Sequence, residues 1–303
     1  AGDAELEAPA TDRRAAERGA SSSKVLFAFN GALRACEGLQ RACDVAQAMD
    51  AELHVLQVLQ VRPPIEPLAP LFELLDARRA PEAQVSAAFD TESRARIRVR
   101  TGLFVKQVAS HAVALRASLI MVSPRKRGLG TIVTVLARTA NIPVLVLRET
   151  TLQKTIVAAT DLEDLDYPVL RKAAEIAEQL RCRVIPFHNV TPLSMNIEPE
   201  TPWPSMTMTM TSGIESENRQ MRLARASRRL HIDAPSVTAS ELSPADGILQ
   251  IARANDADIV VVGARPRSLL GYLVANGVAA QVVDRARRSV LVTPLDKSEA
   301  ASA

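Results

Sequence analysis

Two short basic runs, Arg125-Lys-Arg127 and Arg265-x-Arg267, each begin two residues after an apolar stretch. Guanidinium groups placed there either hold a phosphorylated ligand through charge-assisted hydrogen bonds or face water as a solvated basic loop. Asp161 ends another apolar run, Lys154-Thr-Ile-Val-Ala-Ala-Thr-Asp161. A carboxylate in that place either serves a bound group or is satisfied by backbone N–H groups as a turn or cap residue. The four histidines, His54, His111, His188 and His231, have no metal-ligand spacing and read as ordinary hydrogen-bonded residues. The three cysteines, Cys36, Cys43 and Cys182, form no CxxC and no Cys/His set. They read as buried, reduced thiols, so a cytoplasmic location is expected. No G-x-S-x-G elbow, G-x-G-x-x-G turn after a strand or G-x-x-x-x-G-K-S/T loop occurs. No catalytic residue and no metal ligand is therefore expected.

The elements that must position these residues follow from composition and pattern. The chain has 303 residues, 47% of them hydrophobic but only 3% aromatic. Ala, Val and Leu dominate, as suits parallel strands flanked by Ala-rich helices. A net charge of +3 from 37 basic and 34 acidic residues is too balanced to argue for nucleic acid. No apolar run is long enough to cross a membrane as a helix. Residues 1–23 are polar, without an apolar signal core, and read as a disordered tail; residues 297–303 read as a second tail.

The chain reads as one unit written twice, over residues 24–150 and 151–296. Lys24-Val-Leu-Phe-Ala-Phe-Asn30 and the run ending at Asp161 are first strands. Amphipathic helices follow over Leu33–Met49 and Val169–Leu180, with Pro168 suited to a first turn. Second strands follow over Glu52–Val61 and Arg183–Val190. Helices beginning near Gly102 and Ser243 lead to fourth strands, Ser118–Ser123 and Asp258–Gly263. A last helix and a last strand, Val144–Leu147 or Val290–Thr293, close each unit. Such alternation predicts βαβ units and a roughly five-stranded parallel sheet in each half. Arg94–Arg100 (RARIRVR) reads as an edge strand with one wet face. The second unit adds a long loop, Thr191–Gly213, with Trp203 and the run MTMTMT. It is either a lid with an adaptable methionine surface or a poorly ordered surface loop.

This doubled pattern resembles the universal stress protein family, and most closely its tandem, E-type members. The resemblance runs from Lys24 to Pro294 and is strongest from Asp258-Ile-Val-Val-Val-Gly263 through Ala280-Gln-Val-Val-Asp284 to Ser289-Val-Leu-Val-Thr-Pro294. It implies two tandem Rossmann-like α/β domains with helices on both sheet faces. It also implies that the fifth strands, Val144–Leu147 and Val290–Thr293, pair as an intramolecular pseudo-dimer. Association of two such chains as a homodimer is a further expectation.

ATP-binding members carry Gly-x2-Gly-x9-Gly-Ser/Thr between the fourth strand and the last helix. Glycines there let backbone approach phosphates, and the helix start favours anions. In this chain Gly263 matches the first glycine, Pro266 replaces the second, and Asn276-Gly277 replaces the final pair. Proline lacks an N–H and fixes φ, so it cannot replace that glycine. Asp161 falls at the ribose and metal position with Thr160 before it, Val190 at the adenine contact, and Val278 follows the Asn276-Gly277 pair. The first unit departs further: Asn30 stands at the Asp position, Ser123 and Lys126 at the glycines, and the loop is about six residues shorter. ATP is thus a candidate for the second unit only, through Thr160, Asp161, Val190, Gly263, Asn276, Gly277 and Val278. The leading expectation is a non-catalytic stress-response protein that binds a ligand or protein partner. The alternatives are an ATP switch or slow ATPase, and a small-molecule scaffold under residues 191–213.

Overall fold

Apolar runs flanked by Ala-rich helices become buried strands because burial on both sheet faces tolerates no polar alternation. The computed structural model describes residues 23–30, 35–59, 96–123, 128–148, 154–190, 193–197, 206–210, 213–232, 236–239, 242–265 and 277–295. Unit 1 comprises β1 (Lys24–Phe29), α1 (Ala35–Ala48), β2 (Glu52–Leu59), β3 (Arg96–Thr101), α2 (Phe104–Leu115), β4 (Leu119–Val122), α3 (Leu129–Ala140) and β5 (Val144–Val146). Unit 2 opens with β6 (Thr155–Ala159), α4 (Pro168–Leu180), β7 (Arg183–Val190), β8 (Leu193–Ile197) and β9 (Met206–Met210). It continues with α5 (Gly213–Arg229), β10 (Ser236–Ala239), α6 (Pro244–Ala254), β11 (Ile259–Ala264), α7 (Val278–Arg285) and β12 (Ser289–Pro294).

The fold is α/β, and the sheets of the two units are one. A ten-stranded sheet runs β10-β7-β6-β11-β12-β5-β4-β1-β2-β3. Within this sheet the pairs inside each unit are all parallel. At the centre β12 and β5 pair antiparallel, with Leu291 opposite Leu145. Side chains alternate between two cores. Leu26, Ala28, Val260 and Val262 face the α2, α3, α6 and α7 side. Val25, Phe27, Val261 and Leu291 face α1 and α4. Each core spans both units.

Local signals set the helix limits. Pro168 sits in the first turn of α4, and Arg181 ends it at φ 54°, donating its N–H to Ala177 O and Glu178 O. Ser243 caps α6 by accepting the Asp246 N–H. Where α3 meets α7, a Cβ on Gly130 would overlap the backbone of Ala280, so only glycine permits the approach. The Gly130 N–H in the first turn of α3 is satisfied across the units by Asp284 Oδ1 at 2.8 Å. Arg148, just beyond β5, donates to Val283 O at 2.7 Å near the carboxyl end of α7.

Two differences from the sequence reading stand out. Residues 191–213 are not without secondary structure: β8 and β9 pair antiparallel, with Met195 opposite Met208. Met-Thr alternation has the two-residue period of a strand, which outweighs the flexibility of the individual side chains. The rest of that loop, including Trp203, lies outside the described residues. The second is α5 and β10, two elements absent from the sequence reading: the arginine-rich α5 buries only a narrow stripe, including Leu223, Ala226 and Ser227, and so has weak apolar periodicity. The predicted edge strand is found as β3, the last strand of the sheet.

Candidate functional site

In each unit the strand order by position is third, second, first, fourth, fifth. The order reverses between the first and fourth strands, and an open α/β sheet offers its ligand crevice at that switch point, beyond the carboxyl ends. In unit 2 those strands are β6 and β11. Asp161 follows β6 and Arg265 follows β11, so the two stand on opposite lips of the crevice.

They are joined. Arg265 Nε donates to Asp161 Oδ2 at 2.8 Å, and its Nη2 reaches Asp164 Oδ2 at 3.1 Å and Glu163 Oε2 at 3.3 Å. Asp161 Oδ1 also accepts the Glu163 N–H at 3.1 Å, and the Leu162 N–H goes to Thr160 Oγ1 at 3.1 Å. Both are tight local turns that carry Leu162 to φ 62°. Burial pushes the Asp161 carboxyl up, but the Arg265 hydrogen bond, the Glu163 N–H and the guanidinium charge outweigh it and hold the group below its ordinary value. The same hydrogen bond raises Arg265.

Behind this bridge lies a second row. Thr160 follows β6 directly and donates its N–H to Phe187 O at 3.0 Å. His188, buried on β7, has Nδ1 2.8 Å from Thr160 O, which makes that nitrogen the donor. Burial lowers the His188 pKa more than this bond raises it, so the ring is neutral near pH 7. From α5, Arg222 Nη2 donates to Leu162 O at 2.6 Å and Arg219 Nη1 to Asp161 O at 3.3 Å. The 161–164 turn is thus clamped from two elements.

The predicted residues divide into groups. Thr160, Asp161 and Gly263 come together at the switch point. A Cβ on Gly263 would overlap Leu295 Cδ1 and come within 3.1 Å of Val169 Cγ2, so its missing side chain is filled by packing. Gly277 is the N-cap of α7, with no side-chain cap, and Val278 begins the helix half-exposed. Val190 ends β7. Asn276, Pro266 and the basic run Arg125–Arg127 lie outside the described residues. Sequence reasoning missed Glu163, Asp164, Arg219 and Arg222. Only the acid-rich spacing of 161–166 after a strand hinted at the first two.

Strand register supplies the unit 1 counterparts. Lys24 pairs with Glu52 as Thr155 pairs with Arg183, so Asn30 matches Asp161 and Gln57 matches His188. Val25 pairs with Leu119 as Ile156 pairs with Ile259, so Ser123 matches Gly263. Among the described residues no group of acids, histidines and cysteines could hold a metal ion, and no helix is long and apolar enough to cross a membrane.

Fold and site together define a two-unit, doubly wound α/β protein, with the switch point of unit 2 bridged by its own side chains. The universal stress protein family model matches residues 22–148 and again 153–294, and the chain belongs to that family. Among solved structures, a universal stress protein from Archaeoglobus fulgidus DSM 4304 is similar at 13% identity and TM-score 0.60, covering 90% of this chain and 97% of that one. A functionally unknown protein from Pseudomonas aeruginosa PAO1 is similar at 18% identity and TM-score 0.57, covering 90% of this chain and 93% of that one. These likenesses show the fold. No curated protein matches the chain.

Proposed function

We propose that this chain is a non-catalytic, cytoplasmic stress-response protein of the tandem, E-type kind, which acts by binding a ligand or protein partner. The observation that carries this reading is the Arg265–Asp161 bridge. The carboxylate that the family resemblance would assign to ribose and metal already has a guanidinium at 2.8 Å. Charge-assisted bonds of this kind are about twice as strong as neutral ones, so an incoming nucleotide must displace a satisfied partner. Packing around Gly263 by Val169 and Leu295 supports the same reading. No side chain described at the crevice is placed as an activated nucleophile: His188 gives its Nδ1 proton to a backbone carbonyl, and Asp161 is held ionised.

A second reading rests on α7. Its N-cap Gly277 supplies no side-chain cap to the first-turn N–H groups, as an anion site would need. That reading is an ATP-binding switch or slow ATPase in unit 2. Titration of ATP, with and without Mg, into the wild type, Asp161→Ala and Arg265→Ala separates the two. The proposed function expects no heat and no thermal shift at millimolar ATP in the wild type. One site per chain, lost in Asp161→Ala, would overturn it in favour of the switch, and hydrolysis would be measured next.

A further inference from the structure

The far side of unit 1 carries a feature the crevices do not use. β3 is the outermost strand, and nothing described pairs with its outer edge. In register, Arg98 lies beside Leu56 and Arg100 beside Val58. Leu56 and Val58 face the α2 core, and neighbours in a parallel ladder share a face, so both arginines emerge at the rim of that core. Both are exposed, and neither side chain has a hydrogen bond or ion pair among the described residues. Behind them, His54 on the same face of β2 and His111 on α2 are buried. Glu52 Oε1 lies 3.2 Å from His54 Nε2. Burial, and then the charges of Arg100, Arg98 and His54, lower the His111 pKa, and no acid among the described residues counters them.

We propose that the outer edge of β3, with which no described strand pairs, is a docking site for an extended acidic segment of a partner protein, which adds to the sheet as a further strand. Three features fit that occupant together. The outward N–H and C=O groups of an edge strand accept a new ladder. Arg98 and Arg100 are two residues apart, about 6.6 Å along a strand, which is the repeat of same-face side chains on an added strand. Carboxylates at that repeat would meet both guanidiniums and relieve the local excess of positive charge. A second copy of this chain is a poor occupant, because its own β3 would set arginine against arginine. Edge arginines also deter aggregation, and for the same reason: they repel like strands while leaving an acidic one welcome.

The test is fluorescence anisotropy with the full chain and a labelled eight-residue peptide alternating Glu with Thr. Competitors are the same peptide N-methylated on alternate residues, a peptide of equal composition with its acids clustered, and a single-stranded oligonucleotide. The alternating peptide should bind, with the N-methylated and clustered forms weaker by about tenfold or more. Arg98→Glu/Arg100→Glu should abolish binding and gain affinity for the Lys-Thr counterpart. Arg98→Gln/Arg100→Gln, with thermal unfolding as the folding check, should weaken binding without reversing it. Equal binding of the N-methylated peptide, equal competition by the oligonucleotide, unchanged affinity in either variant, or no binding to the wild type would each overturn the proposal.

Discussion

At the carboxyl end of the first strand, unit 1 carries the neutral Asn30 and unit 2 the ionised Asp161. Beside them stand Gln57 and His188, and across the switch point Ser123 and Gly263. The packing beneath is exchanged as well. In unit 1 the glycine is on the helix: a Cβ on Gly38 of α1 would overlap Ser123 Oγ. In unit 2 the glycine is on the strand end, and the helix supplies Val169 against Gly263. The same volume is filled from opposite sides, so a missing glycine at the first loop position is a relocation of bulk as well as a loss. The charge is not exchanged. Unit 2 holds its crevice with an acid–arginine network, whereas in unit 1 the buried Gln57 Oε1 and Ser123 Oγ have no hydrogen-bond partner among the described residues.

The packing half of this comparison breaks first. Gly38→Val should cost about 2–3 kcal/mol, as overpacking of a well-filled interior does, measured by urea unfolding. Adding Ser123→Gly, which recreates the unit 2 arrangement, should restore most of that loss; if the double variant is no better than the single, the exchange is not real. Ser123→Gly alone should cost little, because it removes a buried hydroxyl that has no hydrogen-bond partner among the described residues.

The charge half yields a smaller effect. Asp161→Asn, which makes unit 2 resemble unit 1, removes an ion pair whose side chains are 46% and 30% exposed, so solvent screening limits the loss to about 1 kcal/mol. Because the folded-state pKa of Asp161 lies below its ordinary 3.8, its contribution is complete above that value and disappears as pH falls through the folded pKa. The Tm difference between wild type and Asp161→Asn should therefore be constant near neutrality and close in strong acid. A difference that persisted there would assign the effect to packing.

His188→Gln, which installs the Gln57 counterpart, should show the smallest effect and at another pH. Burial depresses the His188 pKa below 6.5, so the unfolded chain takes up a proton that the folded chain refuses. Stability is then retained above about pH 6.5 and lost as pH falls from there toward the folded pKa. The variant should lose less over that window, as thermal unfolding at pH 7.5 and 5.5 will show. His111, also depressed by burial, keeps part of the slope in both proteins.

Much of this molecule was legible in its residues. The strand runs ending at Asn30, Asp161, Ser123 and Gly263, the Ala-rich helices between them and the doubled order follow from apolar spacing, which a parallel sheet buried on both faces imposes directly. Pro168 and Ser243 marked helix starts for local reasons. The MTMTM strand shows only in its two-residue period, and the apolar stripe of α5 is masked by its many arginines. What only the tertiary structure decided is what those residues touch. Arg265 meets Asp161 across 104 residues of chain, and Asp284 meets the Gly130 N–H across 154. No local pattern encodes such pairs, because they depend on which strands become neighbours. The sequence by itself determined the strands and the residues that end them; the sheet order, by bringing β11 beside β6, determined where the crevice of unit 2 lies and that it is bridged by the chain's own arginine.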